Sequence, residues 1–183
     1  MQLDRLTAIP SYPDCMLAVI PALLLPMRLI SYANLQTSDV DSLDHVVSAL
    51  YEVISGPAGQ ARNWERMRSL FAPNASMGAA VVSKKQSVSD IEFNVEKYIS
   101  MSGPYLEKSG FFERETKRRT EKYEHIAHIF SSYESRKSIH ERPFETGVNS
   151  IQLFHDGKRW WIRSIFWEGK ETEKPKSGLK PNP

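Results

Sequence analysis

Side chains able to move a proton or hold a metal are sparse in this chain of 183 residues, and their spacing limits what they can do. There are five histidines, and His125 with His128 is the tightest pair. On one regular strand an offset of three places them on opposite faces, so they cannot chelate one ion. His45 falls in a helical stretch, His140 and His155 lie near turns, and no HExxH or similar helical pair occurs. The single cysteine, Cys15, excludes an intramolecular disulfide and a cysteine-rich zinc site. No metal and no other cofactor is expected. Acid–base chemistry is better served by "IAHIFSSYE", where Ile126, His128, Phe130, Ser132 and Glu134 alternate onto one strand face. Apolar surface with one imidazole and one carboxylate suits a partly dry pocket. There burial raises a carboxylate pKa, and histidine exchanges a proton near neutrality. His128 and Glu134 are therefore the candidate catalytic pair. The opposite face (His125, Ala127, Ile129, Ser131, Tyr133) competes for the inward side. Glu134 could also simply pair with Arg136 or Arg163, and His128 could be a hydrogen-bonded wall residue.

The elements that must carry these residues are legible from periodicity. Leu43, Val46, Val47, Leu50 and Ile54 form one helical face, capped by Asp41 or Ser42 and stopped at Gly56-Pro57. A second helix is expected over residues 60–71, with Trp64, Met67 and Phe71 inward, followed by a short strand in "ASMGAAVV". Ser89 with Glu92 reads as a capping box for a third helix, with Ile91, Val95, Tyr98 and Ile99 as its apolar set. Gly103-Pro104 should break that helix, and Gly110 should close the segment. Beyond it the period changes to that of strands, over residues 111–122, 123–137, 143–155 and 158–168. Asp156-Gly157 signals a type I′ hairpin turn. The tail from 169 to 183 is polar and proline-rich.

Three of the four tryptophans fall in "DGKRWWIRSIFWEG". Regular alternation puts Trp160, Ile162, Ser164 and Phe166 on one face and Trp161, Arg163, Ile165 and Trp167 on the other. Both faces are then substantially apolar, and both require cover. Nucleic acid is not the expected partner. The chain has 24 Lys and Arg against 22 Asp and Glu, a net charge of +2. Its basic run "ERETKRRTEK" is itself nearly balanced, whereas base-stacking platforms sit in clearly positive grooves.

The segments "VVSALYEVISGPAG", "NWERMRSLFAPNA", "IAHIFSSYESR" and "GVNSIQLFHDGKRWWIRSIFW", in that order, resemble the nuclear-transport-factor-2-like superfamily, which includes SnoaL-like proteins and ketosteroid isomerases. The resemblance spans residues 42–168 and implies an α+β cone: three amino-terminal helices packed in a strongly curved, antiparallel or mixed sheet, with a pocket at the open end. It also implies a homodimer through the outer sheet face. The acid–tyrosine constellation of ketosteroid isomerases is not matched here, so that activity is not carried over. The reading is a small-molecule-binding domain with a hydrophobic conical pocket for an apolar or aromatic ligand, lyase or isomerase chemistry being its sharper form. Trp64, Tyr98, Tyr105, Phe130, Arg163 and Trp167 are its expected lining beside His128. The alternative is a non-catalytic dimeric interaction module.

The apolar run from Cys15 to Leu25 is too short for a comfortable membrane span and resembles the core of a secretory signal, with Ser31-Tyr32-Ala33 ahead of a cleavage site. The leader is expected over residues 1–33 and a linker over 34–41, giving a periplasmic or secreted protein with no stable membrane span after processing. A cytoplasmic protein with a docking helix is the alternative. Amino-terminal sequencing of the native protein should read from Asn34, and recovery of an intact 1–33 segment would end the case for export.

Overall fold

The computed structural model describes residues 37–83 and 86–172; the leader expected over 1–33 and the end of the polar tail lie outside them. A 3-10 turn, Thr37–Val40, occupies part of the expected linker, and its Asp39 takes two hydrogen bonds from Arg66 at 2.7 and 2.9 Å. Helix α1 (Leu43–Ile54) is capped by the Ser42 hydroxyl, which accepts from the His45 N–H. It buries Val46, Val47, Leu50 and Ile54, as its spacing predicts, together with Tyr51 and Val53. Helix α2 (Trp64–Leu70) is shorter than expected. It is capped by Asn63 and buries Met67 and Leu70, while Phe71 opens strand β1 (Phe71–Val82). No helix among the described residues is long and apolar enough to cross a membrane.

The capping box at Ser89 is not used. Residues Val88–Phe93 form strand β2, which pairs antiparallel with β1, and α3 (Val95–Ser109) starts one turn later on an Asn94 cap. A backbone ladder along β1 outcompetes a single local cap there. Nor does Gly103-Pro104 break α3. Pro104 removes only its own N–H on an exposed side, while Gly103 and Leu106 on either side are buried. Gly103 lies against the Trp64 ring, where an added Cβ would approach Cζ2 to 3.2 Å, so tertiary packing holds the helix together across the proline. Gly110, with φ +69°, ends it.

Strands β3 (Phe112–Tyr123), β4 (Ile126–Arg136), β5 (Glu145–His155) and β6 (Trp160–Glu171) form an antiparallel meander, and β1 joins β6 in parallel. The sheet order is β2-β1-β6-β5-β4-β3, a mixed, unclosed six-stranded sheet with the helices on one face. This is the α+β architecture that the resemblance implies. The β5–β6 turn centres on Gly157-Lys158 rather than Asp156-Gly157. The Asp156 N–H donates to the Arg159 carbonyl at 3.1 Å, and only Gly157 has positive φ, which excludes type I′.

Two bulges, at Thr116 in β3 and at Arg163 in β6, bend the sheet and reset its alternation. The second corrects the expected faces of the tryptophan-rich strand. Trp160 and Ile162 point to the helices, Arg163 is the extra residue, and the inward set resumes with Ile165 and Trp167. Trp161 lies outside, with Arg159 stacked 3.6 Å from its ring centre.

One buried cation ties the helices together. Arg62, 7% exposed, spends all five N–H donors on carbonyls: Ile54 at the end of α1, Gly56, Pro57 and Gln60 in the connection, and Leu106 in α3, at 2.5 to 3.4 Å. The carboxyl ends of α1 and α3 are where a positive charge is favoured. Arg62→Met should cost about 3 kcal/mol or more, because it strands several buried carbonyls. Arg62→Lys should also destabilise, since an ammonium cannot span the planar fork. Urea denaturation midpoints check both, and an unchanged midpoint in Arg62→Lys would refute the fork argument.

Candidate functional site

The inward face of the sheet is ordered in rows of cross-strand partners that run from apolar to polar. Ala127, Leu153, Ile162 and Phe71 form one row, and Ile129, Ile151, Ile165 and Met77 the next. Ser131, Asn149, Trp167 and Ala79 follow, then Glu115, Tyr133, Gly147 and Gly169, and finally Glu113, Ser135 and Glu145. The helices plug the apolar rows. Over the polar ones they leave a cavity of about 340 Å³, with Tyr98, Tyr105 and Leu106 of α3 on one side and Leu50 and Ile54 of α1 on another. Its sheet wall is Met77, Ile165 and Trp167, and Glu113, Tyr133, Glu145 and Asn149 converge at its polar end. Tyr98 and Trp167 meet edge to face, their ring centres 6.2 Å apart.

Two glycines make this end possible. A Cβ at Gly147 would fall 2.5 Å from the Tyr133 hydroxyl, and one at Gly169 would fall 2.6 Å from Glu145 Oε1. Their absence lets Tyr133 lie across the sheet and donate its hydroxyl to Glu145 Oε1 at 3.1 Å.

The hydrogen bonds have a fixed direction. Arg118 holds Glu115 through Nε and Nη2, so Glu115 is an acceptor for the Ser131 hydroxyl. Ser131 has then spent its only proton, and Tyr51 must donate to it at 2.7 Å. Tyr51 Oη in turn accepts from Asn149 Nδ2 at 3.0 Å. This fixes the Asn149 amide, which also donates toward Glu113. Burial pushes the Tyr51 hydroxyl up to about 12, with Glu113 and Glu115 adding to the shift. Burial likewise raises Tyr133, helped by the negative charges of Glu145 and Glu113, and it raises Tyr98. Glu113 is pushed up to about 7, first by burial and then by Glu145, against the stabilising hydrogen bonds from Ser135 and Asn149. A carboxyl that changes charge near neutrality, in an apolar cavity, is equipped for proton exchange.

The strand face carrying the expected catalytic pair is inverted. Ala127, Ile129, Ser131, Tyr133 and Ser135 point inward, while Ile126, His128, Phe130 and Glu134 lie on the outer face. Both faces of β4 mix apolar and polar residues, so alternation alone could not decide between them. His128 Nε2 is 2.9 Å from Ser150 Oγ. Glu134 accepts from Arg114 and Arg136, which hold its carboxyl below the usual carboxylate range, and it does not meet His128. Of the expected lining, Tyr98, Tyr105 and Trp167 do surround one cavity. Phe130 is 45% exposed on the outer face, and the bulge carries Arg163 to the Asn74 carbonyl at 2.6 Å. Trp64 donates Nε1 to Glu107 at 3.3 Å and buttresses α3 from behind. Tyr133 belongs to the competing face of β4, whereas Glu113, Glu145 and Asn149 carry no local signal that marks them as site residues. Glu113 sits in a run that reads as a solvated strand, and only the alternation of Ser131, Tyr133 and Ser135 hinted at a polar inner face.

A second hollow, of about 510 Å³, lies between α1 and the sheet edge at β3. Arg118, Arg114 and Arg136 line it, but each is paired with a carboxylate. Among the described residues no group of three or more His, Cys, Asp or Glu side chains is placed to hold a metal ion.

No protein-family model matches the chain, and no curated protein matches it by sequence. Solved structures do share its architecture. A protein of unknown function with a cystatin-like fold from Nostoc punctiforme aligns over 69% of this chain and 87% of its own, with TM-score 0.53 and 8% identity. An NTF-2-like protein of unknown function from Silicibacter pomeroyi aligns over 70% and 92%, with TM-score 0.48 and 13% identity. An NTF2-like protein of unknown function from Shewanella baltica aligns over 72% and 98%, with TM-score 0.45 and 11% identity. At 8% identity the likeness to the Nostoc punctiforme protein is one of fold alone.

A raised carboxyl pKa has a definite sign in stability. The folded state holds the Glu113 proton more tightly than the unfolded chain does. That stabilisation is complete below the unfolded pKa, and it is lost as pH rises from there through about 7. Glu113→Gln should therefore stabilise the protein at pH values above 7, by roughly 2 kcal/mol, with little effect in acid. Thermal unfolding across that pH range checks this, and an equal effect at both ends would rule out titration as the cause.

Proposed function

We propose that this protein binds a small, largely apolar molecule in the cavity between α3 and the sheet, with one polar group of the ligand held at the Glu113, Tyr133, Glu145 and Asn149 end. The observation that carries this reading is the layout of the cavity: apolar and aromatic walls, with four polar side chains gathered at one end. That is the usual make-up of a small-molecule site, in which contact area supplies affinity and a few polar groups supply orientation. Acid–base chemistry of lyase or isomerase type is the enzymatic form of the same reading. Glu113 would then exchange the proton, in place of the His128 and Glu134 pair expected from the sequence.

The dimeric interaction module has support of its own. Ile126, Phe130 and Phe166, at 60%, 45% and 43% exposure, leave apolar side chains on the outer sheet face, where a second copy would cover them. The two readings are compatible, because they use opposite faces.

The neutral fluorophore N-phenyl-1-naphthylamine should brighten on binding the cavity. Ser102→Trp, which places a bulky ring at a cavity-lining position of α3, should weaken that binding about ten-fold or more. Phe130→Ala on the outer face should leave it unchanged. The reverse pattern would place binding on the outer face instead.

A further inference from the structure

The charge inside the cavity points to the class of ligand, granted that the cavity is the binding site. Its lining contains two ionisable carboxylates, Glu113 and Glu145, and no lysine, arginine or histidine. Neither carboxylate forms an ion pair among the described residues. Glu113 accepts from the Ser135 hydroxyl at 2.8 Å and Glu145 from the Tyr133 hydroxyl at 3.1 Å. The nearby guanidiniums are engaged elsewhere. Arg62 binds carbonyls, Arg118 holds Glu115 and Asp44, and Arg114 and Arg136 meet on Glu134 at the outer face. Charges facing apolar surroundings are ordinarily paired, and here two half-buried carboxylates of the same sign face one largely apolar cavity.

The remaining walls suit a positive charge. Tyr98, Tyr105, Trp167 and Phe111 line the cavity, and the faces of aromatic rings attract ammonium groups through their quadrupole. An anion would meet two carboxylates there and no cation. We infer that the cavity selects an organic cation, an amine or quaternary ammonium carried on an apolar or aromatic body, with its charge between Glu113 and Glu145 and its body against Trp167 and Tyr98.

Binding such a ligand should depend on pH through Glu113. The groups that face this carboxyl are Tyr51 from α1, Tyr98 from α3, Glu115 on its own strand, Tyr133 and Ser135 from β4, and Glu145 and Asn149 from β5. Arg114, Arg118 and Arg136 line the hollow on its far side. A cation favours the ionised carboxylate, so affinity should rise with pH through about 7 and fall below it.

Three probes of similar size test the inference: benzyltrimethylammonium, neutral 2-phenylethanol and anionic phenylacetate, followed by tryptophan fluorescence and calorimetry. The cation should bind at least about ten-fold more tightly than the other two near pH 8, and lose about that factor near pH 5.5. Glu113→Gln should flatten this pH dependence, and Glu145→Gln should weaken the cation by a larger factor than it weakens 2-phenylethanol. If 2-phenylethanol or phenylacetate binds as well as the cation, and Ser102→Trp still blocks it, the cavity remains a binding site and the charge selection is wrong. If none of the three binds, the cavity reading and this inference fall together. The comparison among probes uses the unaltered protein, so it decides the matter even if a Gln variant does not fold.

Discussion

The guanidinium of Arg62 sits where the carboxyl-terminal ends of α1 and α3 converge, a buried charge solvated by backbone carbonyls. Burial lowers its pKa and the nearby Glu107 opposes that, but most of its solvation comes from the carbonyl dipoles. Everything that shapes the cavity depends on this junction. Leu50 and Ile54 wall the cavity from α1, and Tyr105 and Leu106 wall it from α3. The two helices are far apart in sequence, and α3 carries a proline that would weaken it in isolation. Binding the Leu106 carbonyl in the same fork as Ile54 and Gly56 fixes the distance between the helices.

With the helices fixed, the sheet supplies the chemistry through its gradient of rows. The apolar rows bury Ile129, Ile151 and Ile165 against α1 and α2 and contribute the hydrophobic stabilisation of the fold. The polar rows work against it. Glu113 and Glu145 share an apolar space without a cation, and Gly147 and Gly169 give up side chains so that Tyr133 and Glu145 can lie on the sheet. Local stability is thus spent at the polar end of the cavity, a pattern typical of functional sites. The chain of donors from Asn149 through Tyr51 and Ser131 to Glu115 keeps this end ordered, because each member has only one orientation left.

The bulges connect gradient and gap. Without the extra residue at Arg163, strict alternation would send Ile165 and Trp167 outward and bring Ser164 and Phe166 into the core. With it, Trp167 meets Tyr98 edge to face in the cavity wall and Phe166 packs on Gly78 outside. The bulge at Thr116 does the same for β3, letting Glu113, Glu115 and Arg118 all serve the inner side.

Periodicity and turn residues determined α1 with its Ser42 cap, the presence of three helices, the stop at Gly110 and the late meander. Those signals are local: an i, i+3, i+4 stripe, a Ser42 cap, alternating β-branched and aromatic residues. The conical pocket that the family resemblance implied brought Tyr98, Tyr105 and Trp167 into one expected lining, and they do surround one cavity. Which face of β4 turned inward was not local information, since both of its faces mix apolar and polar side chains. The helix stripe of α1, with Tyr51 reaching Ser131, decided it. Nor could alternation foresee a bulge, because an inserted residue looks like any other until its partner strand is in place. So the sequence by itself named the architecture, while the tertiary structure alone gathered Glu113, Tyr133, Glu145 and Asn149. These four come from three strands, and only their register across the sheet makes them neighbours.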